Sequence, residues 1–118
     1  MARAKVKAQF HLRLDKGHLK AVGPGKIALL EAIMETGSIS AAARHLKMSY
    51  RRAWLLVDDL NHQLRHPAVY RETGGKNGGS SQVTPAGEKL VRLYREIEHA
   101  AYLKTLTRIR ALTRMLSR

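Results

Sequence analysis

Phe10, Leu12 and Leu14 alternate with His11 and Arg13, the period of a strand, and an Asp15-Lys16-Gly17 turn signal then separates them from His18 to Val22. This pattern predicts a β-hairpin over residues 6–22. Gly23-Pro24-Gly25 breaks the chain, after which Ile27, Leu30 and Met34, with Leu29 and Ile33 beside them, take helical spacing up to Gly37. Ser40 is placed to cap a short second helix with Ala43 and Leu46 inside and Ala41 and Ala42 small enough for a close helix crossing. Ser49 is placed to cap a third, in which Ala53, Val57, Leu60 and Leu64 form one apolar stripe. Three helices are thus expected over 24–66, and the two capped helices at 40–65, so close in sequence, read as a helix-turn-helix.

Pro67 is the expected end of the third helix. Val69 to Thr73 and Gln82 to Thr84 flank the glycine-rich stretch 74–81, which predicts two short strands and a wing over 69–84. Thr84 as cap and Pro85 at the first helical position open a long helix over 85–117. Leu90, Leu93, Tyr94, Ile97 and Ala101 lie on one side of it, and Leu103, Leu106, Ile109, Leu112 and Leu116 continue the apolar set. An apolar stripe of that length needs a partner surface, whereas the arginines of its distal half would suit a fraying end. The fold class expected is mainly α with small β: a single winged helix-turn-helix domain over 1–118, with an N-terminal β-hairpin, a β wing and a long C-terminal dimerisation helix.

Charge sharpens this picture. The 118 residues hold 22 Lys and Arg against 9 Asp and Glu, a formal net charge of +13. An excess of that size opposes compactness and is useful where a polyanion is the partner, nucleic acid first among them. There is no cysteine, so disulfides, thiolate metal sites and cysteine nucleophiles are excluded. With neither an apolar run of about 18 residues nor a secretory leader, a cytoplasmic protein without a membrane partner is expected.

The start of the third helix carries the binding chemistry. Tyr50, Arg51 and Arg52 follow the Ser49 cap while the apolar stripe faces the other way. In a helix-turn-helix this end enters the major groove, where Arg holds guanine O6 and N7 and Tyr bonds a phosphate or packs on a thymine methyl. Trp54 is assigned to the core beside Val57. The tip of the wing is not a phosphate loop, since Lys76 precedes Asn77 rather than Ser or Thr and no helix follows directly. It is either a loop carrying Lys76 and Asn77 to a phosphate or minor groove, or a plain flexible hairpin. His62 and His66 have the spacing of two metal ligands on a helix, but Pro67 pushes His66 out of the helix and no third ligand is near. Asp58 and Asp59 diverge, and Glu31 and Glu35 belong to a solvent face, so no catalytic group assembles. No enzyme, metal or cofactor is expected.

The stretches GKIALLEAIMETGSISAAARHLKMSYRRAWLLVDDLN and TGGKNGGSSQVTPAGEKLVRLY resemble the N-terminal DNA-binding domain of ModE-type, molybdate-responsive regulators over most of residues 6 to 98. The blocks SISAAA, SYRRAW, TGGKNGG and VTPAGE stand in the right order and separation, and a more distant similarity runs to the LysR-type winged helix. The resemblance implies a homodimer on a palindromic operator in double-stranded DNA, with Ser49 to Arg52 reading the groove and Lys76 in the wing. Ser40, Lys47, Ser49, Tyr50, Arg51, Arg52, Arg71, Thr73, Lys76 and Asn77 are the candidate DNA-binding residues; Leu90, Leu93, Tyr94, Ile97, Ala101 and Leu106 are the candidate dimerisation residues.

Two departures from the family pattern matter. Lys47 stands where the family turn has glycine, at a position expected to be left-handed. The family's oxyanion-binding domains have no counterpart before Arg118, so molybdate binding by this chain is not expected. A sequence-independent, nucleoid-associated DNA-binding protein is the alternative function. An RNA binder would offer more exposed aromatics, and a protein-interaction module would show little salt dependence.

Overall fold

The computed structural model describes residues 4–71 and 80–116. Strands β1 (Leu14–Lys16) and β2 (Leu19–Val22) pair antiparallel through a two-residue turn in which Gly17 takes φ 63°. The hairpin is shorter than the alternation suggested. Phe10 and Leu12 line a groove with Ile97 and Ala101, and the Leu12 carbonyl accepts from the Tyr94 hydroxyl at 2.7 Å. The segment before β1 is therefore held against the last helix rather than paired with β2.

Helix α1 (Pro24–Thr36) starts on Pro24 and stops at Gly37, whose φ of 82° lets its N–H reach the Ile33 carbonyl at 2.8 Å. Ile27, Leu29, Leu30, Ala32 and Ile33 are all buried because α1 is central, touching α2 (Ile39–His45), α3 (Tyr50–Gln63) and α4 (Pro85–Met115). Met34, in helical phase with Ile27 and Leu30, is half exposed.

Ser38, not Ser40, caps α2: its Oγ accepts from Ala41 N at 3.0 Å. The reason is the tight corner. Gly37 closes α1 in the left-handed region, Ser38 is extended, and Ile39 enters the core at once, so the helix begins two residues earlier than expected. Ser49 caps α3 as expected, accepting from Arg52 N at 3.1 Å. The helix ends at Gln63, four residues before Pro67, as Leu64 turns extended.

Strands β3 (Val69–Arg71) and β4 (Ser81–Val83) pair antiparallel at the base of the wing, Val69 opposite Val83 and Arg71 opposite Ser81. Asn61 of α3 brackets this base: its Oδ1 accepts from Ala68 N and Val69 N at 2.8 and 3.2 Å, and its Nδ2 donates to Val69 O at 3.1 Å. Ser81 N donates to Gly37 O at 3.1 Å, tying β4 to the α1–α2 corner.

Thr84 caps α4, accepting from Gly87 N at 3.1 Å and donating to Pro67 O at 2.6 Å. At 31 residues α4 is long, and only its first part is built into the core, through Gly87, Val91 and Tyr94. Arg95 bolts that part to α1. It donates to both Glu31 oxygens, at 2.9 and 2.5 Å, and to Glu98 at 2.6 Å, and these bonds raise its pKa further above the ordinary guanidinium value. Glu31 thus pairs with α4 at the surface, its side chain still 40% exposed.

Candidate nucleic-acid interface

The turn between α2 and α3 sets the direction of α3. Leu46 N and Met48 N donate back to Ala42 O and Ala43 O, both at 3.0 Å, and Lys47 between them takes φ 58°. Among described non-glycine residues Lys47 is the one with positive φ, as the family comparison of the turn led one to expect. Such a conformation costs a lysine on the order of 1 kcal/mol. The reward is a reversal tight enough to bring the Ser49 cap directly after α2.

From that cap the exposed side chains come in helical order. Ala53, Val57 and Leu60 face the core, while Tyr50, Arg51 and Arg52 are exposed, as are Lys47, Ser49 and Ser40. Ser40 lies inside α2, where its Oγ accepts from Arg44 at 3.3 Å, so it is a surface hydroxyl instead of a cap. Free N–H groups in the first turn of α3, with Arg51 and Arg52 beside them, make this end electropositive.

Trp54 is not a core residue. It is half-buried, and Arg71 from β3 stacks on it with the guanidinium carbon 4.7 Å from the ring centroid. A cation above the indole face is a stabilising arrangement that no local pattern reveals, since the partners are 17 positions apart. Arg71 Nη2 also lies 3.6 Å from Asp58, and Nη1 is buried with no hydrogen-bond partner among the described residues. Thr73, Lys76 and Asn77 lie outside the described residues.

The candidate dimerisation residues divide. Tyr94 is 3% exposed, with its hydroxyl on Leu12 O, so it belongs to the chain's own core and is corrected from a dimer residue to a structural one. Leu93 and Ile97 are exposed; Leu90, Ala101 and Leu106 are half-buried. Leu103, Leu112 and Leu116 extend the exposed apolar surface to the far end of α4.

His62 Nδ1 lies 2.7 Å from the Asp58 carbonyl oxygen, and among the described residues no cluster of three His, Asp or Glu could hold a metal. No helix among them is long and apolar enough to cross a membrane. The Asn61 bracket and the outward position of Leu55 also escaped the sequence reading. The second was legible, because Leu55 falls off the stripe formed by Ala53, Val57, Leu60 and Leu64.

Comparison with known proteins agrees with this geometry. MopB of Rhodobacter capsulatus, a molybdenum-pterin-binding protein, is 51% identical over 77 residues, which cover 65% of this chain and 28% of MopB. ModE of Escherichia coli K12, a DNA-binding transcriptional dual regulator, is 41% identical over 71 residues, 60% of this chain and 27% of that protein. The chain thus spans less than a third of the length of these relatives, which are not enzymes by name. Among solved structures, ArgP from Mycobacterium tuberculosis superposes with a TM-score of 0.50 at 28% identity, covering 78% of this chain and 30% of ArgP. Residues 25–88, from the start of α1 into α4, match the family of bacterial regulatory helix-turn-helix proteins of lysR type. The chain belongs to the lysR family of bacterial regulatory helix-turn-helix proteins and is homologous to the N-terminal region of ModE-type regulators.

Proposed function

We propose that this chain is the DNA-reading part of a transcriptional regulator, acting in the bacterial cytoplasm as a homodimer on a palindromic operator. The observation that carries the reading is the exposed N-terminal end of α3, where Tyr50, Arg51 and Arg52 follow the left-handed Lys47 turn and the Ser49 cap. Arg51 and Arg52 supply base contacts in the major groove. Lys47, Ser49 and Arg71 supply phosphate contacts that fix the register, joined by Thr73, Lys76 and Asn77 of the wing. A second copy covers the apolar surface of α4, where Leu93, Ile97, Leu103 and Leu112 are 45% to 61% exposed, too large a run of apolar surface to leave in water. No molybdate site is part of the proposal.

The test is duplex binding as a function of salt, for the wild type and for Arg51→Ala, Arg52→Ala and Lys76→Ala. Affinity falls as salt rises, with a slope of about 0.9 for each phosphate neutralised. Arg51→Ala and Arg52→Ala weaken preferred sites more than random duplexes, and Lys76→Ala weakens both alike. Equal losses for all three would remove these roles, and affinity independent of salt would remove DNA as the partner.

A further inference from the structure

Leu55 is 47% exposed and lies one turn after Arg51, on the side of α3 turned away from Ala53, Val57 and Leu60. Tyr50, Arg51, Trp54 and Leu55 together line one shallow cleft. Its indole wall is fixed, because Arg71 covers one side of the Trp54 ring and is itself drawn towards Asp58. An apolar cleft with a rigid wall, on the end of the helix proposed to read DNA, is a poor place for solvent.

Charge identifies what covers it. Arg51 lines the cleft, with Lys47 and Arg52 exposed close by in the chain, and the net charge is +13, so the occupant is part of a polyanion. The apolar group that a DNA duplex presents in its major groove is the 5-methyl of thymine. We infer that the cleft of Tyr50, Trp54 and Leu55 receives thymine methyl groups, which makes Trp54 and Leu55 specificity-determining residues beside Arg51. The inference rests on the proposed reading of duplex DNA and extends it to the bases chosen. Arg51 and Leu55 are four residues apart, about 6 Å of helix, so the thymine lies within about two base steps of the base that Arg51 contacts.

The test uses the duplex enriched by this protein from a random pool, with each thymine replaced in turn by deoxyuridine, which removes the methyl alone. For the wild type, affinity drops about fourfold at a thymine near the Arg51 contact, the effect of uncovering one methyl group. Leu55→Ala, a surface change that the fold tolerates, is indifferent to the same replacement, and Trp54→Phe, which keeps a ring under Arg71, shows a reduced effect. Uracil tolerated at every position, with Arg51→Ala still losing the preferred sequence, would overturn the inference and leave the DNA reading standing. Leu55→Ala retaining the full uracil penalty would overturn it too, placing the methyl contact elsewhere. A pool that yields no enriched sequence would overturn both.

Discussion

Lys26 of α1 and Asp59 of α3 form an ion pair, and the same ammonium group donates to the carbonyl oxygens of Lys20 and Ala21 at 2.7 and 3.1 Å. One side chain, 9% exposed, therefore joins the β2 strand, α1 and the helix proposed to read DNA. Lys26→Ala strands two carbonyls and leaves Asp59 unpaired, and it is expected to lower stability by about 2–4 kcal/mol in urea denaturation. Asp59→Asn costs less, because Asp59 is partly in solvent and the carbonyls keep their donor. A loss below about 1 kcal/mol for Lys26→Ala would show that the bridge contributes little in solution.

Gly87 admits no side chain. A Cβ there would meet the Ala68 carbonyl oxygen and stand 2.7 Å from Val83 Cγ1, where the start of α4 crosses the base of the wing. Gly87→Ala should cost about 1–3 kcal/mol or more through forced displacement. A melting temperature equal to that of the wild type would contradict this packing.

Lys47 carries the backbone cost of the turn, and Lys47→Gly should relieve it, raising stability by up to about 1 kcal/mol. If Lys47 also meets a phosphate, the same variant lowers the salt slope of DNA binding by about 0.9. Greater stability with an unchanged slope would confine Lys47 to the turn.

Burial, then the neighbouring Glu98 carboxylate, push the Tyr94 phenol above its ordinary value. Below about pH 10 the phenol is neutral in both folded and unfolded chains, so its contribution is intact. Above that the unfolded chain ionises first, and stability is lost as pH rises through the raised folded value. Tyr94→Phe loses the bond to Leu12 O, about 1 kcal/mol at neutral pH, but lacks this alkaline loss. Melting curves compared from about pH 8 to about pH 11 should converge; parallel curves would contradict the assignment.

Local signals carried much of this structure. Ser49, Thr84 with Pro85, and the Ala53–Val57–Leu60 stripe name elements within single turns of helix, and each stands where its pattern put it. Ser40 was expected to cap α2 and Ser38 does so instead; the burial of Ile39, a tertiary matter, decides it. Trp54, Tyr94 and Lys26 were misjudged or overlooked for the same reason. Their partners, Arg71, Leu12 and Asp59, are distant in sequence, and an indole, a phenol or an ammonium group settles where a non-local partner satisfies it. Leu55 shows the converse, since its place off the apolar stripe was readable and its meaning depended on the cleft around it.

The central claim, that α3 reads sequence in duplex DNA on behalf of a dimer, is tested most directly by selecting bound duplexes from a random pool with the purified protein at physiological salt. The account predicts an enriched inverted repeat whose half-sites lie about one helical turn, roughly 10 base pairs, or a multiple of it apart. Tight, salt-sensitive binding with no enriched motif would contradict it and assign the basic surface to sequence-independent packaging of DNA.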